Sequence, residues 1–172
     1  MVATHPNTIK PFLLHDDESR WNSLGNLTHS IRTGKASFNQ LYQTDYFSSL
    51  KSDMKLSKRF DEAMLIISRQ EDAIIAKSIS FNGIVADIGG GNGQLLNEIL
   101  SKHPKVTGAI LFDLPNVENK LIYQNASKVV GSFFDEVNIK ANDYILKRIL
   151  HDWNDQQAEL ILKNVESSMG VD

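Results

Sequence analysis

The glycine-rich stretch "VADIGGGNGQ", which begins at Val85, is the segment whose composition points most directly to ligand binding. Glycine tolerates positive φ angles and lets the backbone approach a ligand closely, so the stretch predicts a tight turn beside a small molecule. The dinucleotide spacing G-x-G-x-x-G fails, because Gln94 stands where Gly89 would need its third glycine and Leu96 where Gly91 would. The observed G-x-G-x-G spacing instead favours a ligand with one adenosine and no phosphates.

Two carboxylates accompany this turn. Asp87 lies two residues before the first glycine of the turn, and a glycine turn with a helix-capping aspartate is the alternative that needs no ligand. Asp113 closes the next apolar run, twenty residues after Gly93. A carboxylate at the end of the second strand of a parallel sheet can accept hydrogen bonds from both ribose hydroxyls. Asp113 therefore favours the adenosine ligand over the structural alternative.

One of the five histidines stands at a position suited to acid–base chemistry. His151 follows the fourth predicted strand, at the sheet edge where ligands collect, with Asp152 directly after it. An ordinary histidine ionises near pH 6.5, so it can take up a proton near neutral pH from a reacting group within hydrogen-bond reach. A histidine that only caps the strand end is the alternative. The other four are predicted to be surface residues: His5, His15, His29 and His103.

Composition limits the classes of function. The chain has 172 residues, 41% of them hydrophobic and 23% charged, which fits one globular domain of ordinary size. The formal charge of −3 gives no footprint for nucleic acid, and no apolar run has the length of a membrane span. With no cysteine there is no disulfide, thiolate nucleophile or cysteine-bound zinc. We predict a cytoplasmic protein with no metal site.

The first half of the chain has helical patterns. Residues 1–19 are predicted to be a tail or linker, because they combine two prolines with an acidic cluster. A helix is expected from Trp21 to Gly34, with Leu24, Leu27 (or Thr28) and Ile31 on one side. A further aromatic-rich helical stretch follows, and a longer helix is predicted over 56–79, whose phase slips near Glu71 and allows a break there.

The second half alternates strand and helix patterns. Strands are predicted at 83–88, 108–113, 128–133 and 143–148. Helices are predicted at 94–103, after Pro115 with Val117 and Leu121 inward, and from Asn154, where Gln157 completes a capping box. This alternation indicates an α/β fold with a parallel sheet and right-handed crossovers. The glycine turn, Asp113 and His151 all follow strands, so they should lie at one edge of that sheet.

The residues resemble the class I S-adenosylmethionine-dependent methyltransferases, and within them the small-molecule O-methyltransferases of plants and bacteria. The resemblance extends from Trp21 to Met169. It rests on six motifs in order: "RTGKASF" (32–38), "RFDEAM" (59–64), "VADIGGGNG", "LFDLPNV" (111–117), "GSFF" (131–134) and "LKRILHDWND" (146–155). It implies a Rossmann-like sheet and transfer of a methyl group from S-adenosylmethionine to a hydroxyl of a small, aromatic acceptor, leaving S-adenosylhomocysteine.

The resemblance also implies roles for individual residues. Gly89 would lie under the methionine part of the cofactor, Asp113 would hold the ribose, and Lys147 would reach the cofactor. Ser132 and Phe133 match the adenine-binding pair. The usual residue at 132 is an acid, and a neutral hydroxyl accepts a hydrogen bond more weakly.

The acceptor side is implied in the same way. His151 matches the base that takes the acceptor's proton, and Met64 and Ser68 match positions in the methyl-transfer pocket. Asp152 is predicted either to contact the acceptor or to orient local backbone. The identity of the acceptor is not predicted.

The expected organisation is a tail at 1–19, a helical segment at 20–80 that contributes to the acceptor pocket, and a partial cofactor-binding domain at 81–172. Family members have seven strands and form homodimers through an amino-terminal helical domain, whereas this chain supplies about four strands and little of that domain. We therefore expect a shortened or split enzyme, completed in the second case by another chain. The alternatives are a non-catalytic cofactor-binding or interaction module and, disfavoured by Gln94 and Leu96, a nicotinamide-dependent oxidoreductase.

Overall fold

The computed structural model describes residues 8–169, apart from the side chain of Gln70. They form two compact units, which divide between Ser68 and Arg69. The helices that begin in the first unit are α1 (Lys10–His15), α2 (Glu18–Gly25), α3 (Leu27–Thr33), α4 (Ser37–Tyr42), α5 (Tyr46–Ser52) and α6 (Met54–Ser78). None of the helices between residues 8 and 169 combines the length and the apolar character needed to cross a bilayer.

The second unit contains a parallel sheet of four strands. They are β1 (Gly83–Ile88), β2 (Val106–Asp113), β3 (Ala126–Val130) and β4 (Asp143–Ile145), in the spatial order β3-β2-β1-β4. Helix α7 (Gln94–Lys102) connects β1 to β2, and α8 (Asp155–Met169) follows β4. All three strand pairs are parallel, which confirms the predicted α/β fold with about four strands.

The core lies on both faces of the sheet. Along β1 the side chains of Val85 and Ile88 are fully buried, and they face opposite sides because successive strand residues alternate. Val85 packs with Leu96 of α7, whereas Ile88 packs with Val165 of α8. The continuous apolar run of β1 is thus explained by a strand covered on both faces. It places the carboxyl end of β1, and the glycine turn after it, between two helices.

The start of α8 follows the predicted capping box. The Gln157 amide nitrogen donates to Asn154 Oδ1 at 2.9 Å, and the Asn154 amide donates back to Gln157 Oε1 at 3.5 Å. This reciprocal pair satisfies donors that the first turn of a helix leaves unpaired. It fixes where α8 begins, directly after the segment that carries His151.

The helix predicted after Pro115 does not form. Residues 114–125 contain turns instead, and their backbone groups bond to side chains and to other segments. Lys120 N donates to the Asn92 carbonyl at 2.9 Å, and Ile122 N donates to Asn97 Oδ1 at 3.1 Å. The first bond goes to the backbone carbonyl of Asn92, whereas in the second the Asn97 side chain takes a backbone N–H that a helix would use. Two apolar residues also give a helix little to bury. The prediction that Leu121 points inward is confirmed, since it packs against the core.

Two strand boundaries also differ from the predictions. The strand predicted at 128–133 is shifted and runs over Ala126–Val130, and the one predicted at 143–148 ends at Ile145. Three residues after the end of β4, Arg148 adopts a left-handed conformation, with φ of 58°. That conformation is incompatible with a continuing strand, and it turns the chain toward the segment with His151.

The first unit is helical in part of the segment that the sequence predicts to be a tail. Helix α1 lies within the predicted tail, and His15 is only 1% exposed, so its prediction as a surface residue is wrong. The His15 ring meets the edges of Tyr46 and Phe60, with centroids 6.1 and 5.5 Å away. This aromatic packing explains the burial, and the sequence spacing of the three residues could not reveal it. His5 lies outside the described residues.

The helix predicted from Trp21 divides into α2 and α3 at Asn26, and Gly34 ends it as expected with φ of 68°. The predicted apolar side is largely exposed in the chain, with Leu24 at 57% and Ile31 at 76%. Helix α6 continues through Glu71, where the pattern slips, without the break that the sequence allowed.

A glycine substitution tests the packing of the turn against the loop that replaced the predicted helix. Gly93 has φ of 83°, and a side-chain carbon there would come 2.7 Å from Leu121 Cδ2. We expect Gly93→Ala to lower the free energy of unfolding by about 1–3 kcal/mol, from left-handed strain and the collision. Gly108→Ala is the control, since its added carbon meets nothing closer than 3.6 Å. Equal urea midpoints for the two variants would contradict this packing.

Candidate functional site: the glycine turn and the strand ends around it

The glycine turn after β1 adopts the backbone that the sequence predicts. Gly89, Gly91 and Gly93 have φ of 69°, 62° and 83°, a region that favours glycine. The Gly89 amide donates to the Phe112 carbonyl at 2.7 Å, which ties the turn to the end of β2. A side-chain carbon on Gly91 would meet no atom within 4 Å, so this glycine faces open space. The turn therefore offers one accessible stretch of backbone at the carboxyl edge of the sheet.

Asp113 is held against that accessible stretch. Its Oδ2 accepts a hydrogen bond from the Gly91 amide at 2.8 Å, and its Oδ1 accepts one from Leu114 at 2.7 Å. Burial raises the pKa of this carboxyl, and the two amide hydrogen bonds lower it. Each carboxylate oxygen keeps a free lone pair beyond these bonds, so Asp113 can accept further donors. The structure thus brings Asp113 to the glycine turn, as expected for residues that end adjacent parallel strands.

A buried group of charged residues lies beneath the turn. Asp87 is 2% exposed on β1, and a side-chain carbon on Gly90 would come 2.5 Å from its Oδ2. Burial raises the pKa of Asp87 to about 7; Lys147 lowers it, and Asp72 and Asp113 raise it further. Asp87 is therefore a core carboxyl packed against the turn, which differs from the helix-capping role considered for it.

Lys147 and Asp72 form an ion pair within this group. The Lys147 Nζ donates to Asp72 Oδ1, and the Gln94 side-chain amide donates to Asp72 Oδ2 at 3.0 Å. The Asp72 side chain is 1% exposed and that of Lys147 is 19% exposed. Asp72 of α6 thereby joins the first residue of α7 to the segment after β4. Sequence reasoning missed Asp72, whose inward position is evident from the structure because the neighbouring Ala76, one helical turn later, is also buried.

Ser132 and Phe133 follow β3 in the loop at the same edge. The Phe134 amide donates to Ser132 Oγ at 3.2 Å, so that hydroxyl serves local structure in this conformation. Phe133 lies beside the turn, since its Cε1 would be 3.4 Å from a side-chain carbon on Gly89. Its ring also packs edge-on against Trp153, with centroids 5.9 Å apart. The structure therefore brings Phe133 to the turn and links it to the segment that carries His151.

His151 lies on a short 3-10 turn, Leu150–Asp152, that follows β4. Its side chain is 57% exposed, and its Nε2 is 3.5 Å from Asp152 Oδ1. Ile149, two residues earlier, packs against Gly89 and so fixes this segment beside the glycine turn. An exposed imidazole with a carboxylate neighbour has the chemistry of a general base, and its exposure leaves it accessible to a reacting molecule.

The carboxylate beside His151 is itself perturbed. Partial burial raises the pKa of the Asp152 carboxyl, whereas His151 and Arg148 lower it. Arg148 is anchored by Glu71 through its Nε at 3.0 Å and a second guanidinium nitrogen at 2.5 Å. Both pairs, Glu71 with Arg148 and Asp72 with Lys147, therefore fasten the segment after β4 to α6. Met64 and Ser68 lie half-buried in the first unit, and their place in an acceptor pocket stays a prediction.

The Asp87 carboxyl gives a prediction for stability against pH. Its native pKa of about 7 is above its ordinary value, so the native state binds a proton more tightly and this group destabilises the fold as pH rises from about 4 to 7. We expect the free energy of unfolding of Asp87→Asn to exceed that of the parent chain, because asparagine carries no charge to bury. This excess should be larger at pH 8 than at pH 5, by about 3 kcal/mol. Urea unfolding at both values checks this. A difference that does not change with pH would contradict an elevated Asp87 pKa.

Comparison with known proteins gives one consistent result. Residues 21–171 match the family described as O-methyltransferase domain. The chain is 36% identical over 153 residues to the O-demethylpuromycin-O-methyltransferase of Streptomyces alboniger. The matched region covers 82% of this chain and 40% of that protein. It also resembles the solved structure of the mitomycin 7-O-methyltransferase MmcR, with a TM-score of 0.91 and 27% identity over 98% of this chain and 53% of that one.

A second solved structure has ligands in its description. NcsB1, an O-methyltransferase from neocarzinostatin biosynthesis in complex with S-adenosylmethionine and 2-hydroxy-5-methyl naphthoic acid, has a TM-score of 0.85 and 31% identity. The match covers 97% of this chain and 55% of NcsB1. The chain thus spans about half the length of the relatives that it matches.

Proposed function

Because the chain belongs to the O-methyltransferase domain family, we propose that it is an S-adenosylmethionine-dependent methyltransferase that acts on a hydroxyl of a small aromatic molecule. One observation carries the proposal. The Asp113 carboxylate is bonded to Gly91, the one glycine of the turn whose side-chain direction is open. A carboxylate and an accessible stretch of backbone therefore lie side by side, which is what binding of a nucleoside would require.

The residues around the turn fit the cofactor in chemistry and in space. Asp113 would accept the ribose hydroxyls with the lone pairs left free by its two amide bonds. Phe133 offers an aromatic face near Gly89, which suits the adenine ring, and Ser132 would accept from the adenine amino group. Gly89 would lie under the methionine part. When bound, the cofactor supplies an electrophilic methyl group on a positively charged sulfur.

His151 would act as the general base. Its exposed imidazole would accept the proton of the acceptor hydroxyl while the oxygen forms its bond to the methyl group, so that no free phenolate is needed. The bond between that methyl group and sulfur would break at the same time, and its electron pair would stay on the sulfur of the cofactor. Asp152, 3.5 Å away, would hold the imidazole in place or contact the acceptor directly. Placement of the hydroxyl in line with the methyl group would supply much of the remaining acceleration.

The acceptor is proposed to be aromatic and phenolic. The relatives are named for acceptors of this kind, among them 2,7-dihydroxy-5-methyl-1-naphthoate and bergaptol. We propose that residues 20–80, with Met64 and Ser68, contribute to the acceptor pocket, and that residues 81–172 hold the cofactor. A second copy of the chain would cover the exposed apolar side of α2 and α3, including Trp21 at 65% exposure. A monomer at all concentrations in sedimentation would contradict that dimer.

A second candidate, a non-catalytic cofactor-binding module, is favoured by the open side of β4. Within residues 8–169, β4 pairs only with β1, and Asp143 Oδ2 is buried without a hydrogen-bond partner. A groove of about 420 Å³ lies there between Ile75 of α6 and Tyr144 of β4. An unpaired edge of a parallel strand is a site for a further strand. In this second candidate a completing chain would occupy that edge, and the assembly would bind the cofactor without turnover.

Methyl transfer distinguishes the two candidates. The chain is incubated with S-adenosylmethionine that carries a labelled methyl group and with a naphthol carboxylate, and the label in the naphthol is measured. The enzyme predicts label on the phenolic oxygen and none on the same acceptor with its hydroxyl already methylated. Cofactor binding without label transfer would support the non-catalytic module. Neither binding nor transfer by a folded chain would contradict both candidates.

A further inference from the structure

The ion pair beneath the glycine turn joins the Lys147 ammonium to the Asp72 carboxylate, so its two charges cancel. Asp72 accepts from the Lys147 ammonium at one carboxylate oxygen and from the Gln94 amide at the other. The pair is largely withdrawn from solvent, with side-chain exposures of 1% for Asp72 and 19% for Lys147. Solvent therefore screens its charges weakly, and the field of each reaches the neighbouring groups.

The neighbouring groups belong to the proposed cofactor site. Asp87 packs under Gly90 of the turn, and its carboxyl responds to the charges of Lys147, Asp72 and Asp113. Without Asp72, the Lys147 ammonium would be a partly buried cation that has lost its direct ion-pair partner beside the turn. Without Lys147, the turn would face three carboxyl groups and no balancing cation from this pair.

We propose that Asp72, oriented by Gln94, cancels the charge of Lys147 and thereby sets the preference of the site for a positively charged sulfonium over the neutral thioether that remains after transfer. The inference rests on the proposed function, because it takes S-adenosylmethionine and S-adenosylhomocysteine as the two ligands. They differ by one methyl group and one positive charge. A change of fixed charge beside the turn therefore alters the ratio of their affinities, whereas a change in packing alters both alike.

The sign of each effect follows from Coulomb's law. Asp72→Asn leaves Lys147 unbalanced, which repels the sulfonium, so the affinity for S-adenosylmethionine falls relative to that for S-adenosylhomocysteine. Lys147→Gln leaves Asp72 unbalanced, so the ratio moves the other way. A unit charge within about 8 Å in a partly buried site changes a charged ligand's affinity roughly 10-fold to 30-fold. The double variant removes both charges and should restore the ratio of the parent chain.

The chain offers a matched control one residue away. Glu71 lies beside Asp72 on α6 and pairs with Arg148, which is beside Lys147, but this pair is at the surface with side chains 40% and 43% exposed. Glu71→Gln changes the net charge by the same amount as Asp72→Asn. Since solvent screens exposed pairs strongly, it should leave the affinity ratio within about twofold of the parent value.

The experiment is calorimetric titration of the folded chain and of each variant with S-adenosylmethionine and with S-adenosylhomocysteine. The proposal expects the ratio to fall in Asp72→Asn, to rise in Lys147→Gln, and to stay near the parent value in the double variant and in Glu71→Gln. An equal loss of affinity for both ligands in Asp72→Asn would overturn it. That result would indicate that Asp72 only holds α6 against the segment after β4. If the single variants do not fold, a shifted ratio in the double variant overturns it. Failure of the parent chain to bind either ligand would instead contradict the proposed function.

Discussion

Replacing Asp113 by alanine is expected to reduce the affinity of the chain for S-adenosylhomocysteine by roughly 100-fold or more. Two hydrogen bonds from ribose hydroxyls to a charged carboxylate contribute about 1.5–3 kcal/mol each. The substitution also removes the acceptor for the Gly91 and Leu114 amides, so the turn loses the bonds that fix its accessible stretch. Calorimetric titration of parent and variant measures the difference.

Asp135→Asn is the control for the loss of one negative charge, since Asp135 is exposed in the loop after β3. It should leave the affinity unchanged. The pH dependence adds a second check: burial raises the pKa of Asp113, so the parent chain should lose affinity as pH falls and the carboxylate takes up a proton. Asp113→Ala should lack that dependence. An alanine variant that binds as tightly as the parent would place the ribose elsewhere.

Replacing His151 by alanine is expected to lower the rate of methyl transfer by 100-fold to 10,000-fold, the range typical of a positioned general base. The imidazole is 57% exposed, so its removal should leave the fold unaffected. The measurement is the initial rate of label transfer to a phenolic acceptor at saturating S-adenosylmethionine.

The affinity of His151→Ala for S-adenosylhomocysteine is the internal control for this prediction. It should equal that of the parent chain, because the residues proposed to hold the cofactor are unchanged. A joint loss of rate and affinity would indicate that His151 positions the glycine turn through Ile149, with no role as a base. An unchanged rate would show that another group takes the proton.

The glycine turn and the strands around it were predictable because their signals are local. A buried parallel strand reads as a continuous apolar run, and β1 is covered on both faces, so its sequence matched that pattern without ambiguity. Gln94, which stands where the dinucleotide motif requires glycine, is the first residue of α7 in the structure. Its side-chain amide donates a hydrogen bond to Asp72.

What the sequence did not predict depends on contacts between distant residues. Asp72 and Lys147 are 75 positions apart, and their pairing follows from the way α6 lies against the segment after β4. The absence of a helix after Pro115 also depends on residues of other segments. The Asn92 carbonyl and the Asn97 side chain accept hydrogen bonds from backbone amides of this loop. Neither contact leaves a periodic pattern in the chain.

The roles assigned to Ser132, Phe133 and Met64 came from resemblance, because isolated polar or aromatic residues in a loop or helix have no spacing that specifies a ligand. The structure gives each a location. Phe133 lies beside Gly89, the Ser132 hydroxyl accepts a hydrogen bond from the Phe134 amide, and Met64 lies on α6 in the first unit. Their functions stay predictions.

The most direct test of the central claim, that the glycine turn and Asp113 hold an adenosyl cofactor without phosphates, is a pair of calorimetric titrations of the chain. One uses S-adenosylhomocysteine and the other uses NADH, under the same buffer and temperature. The account predicts saturable binding of S-adenosylhomocysteine at one site per chain and no detectable heat with NADH. Binding of NADH alone, or no binding of either by a chain that unfolds cooperatively, would contradict it.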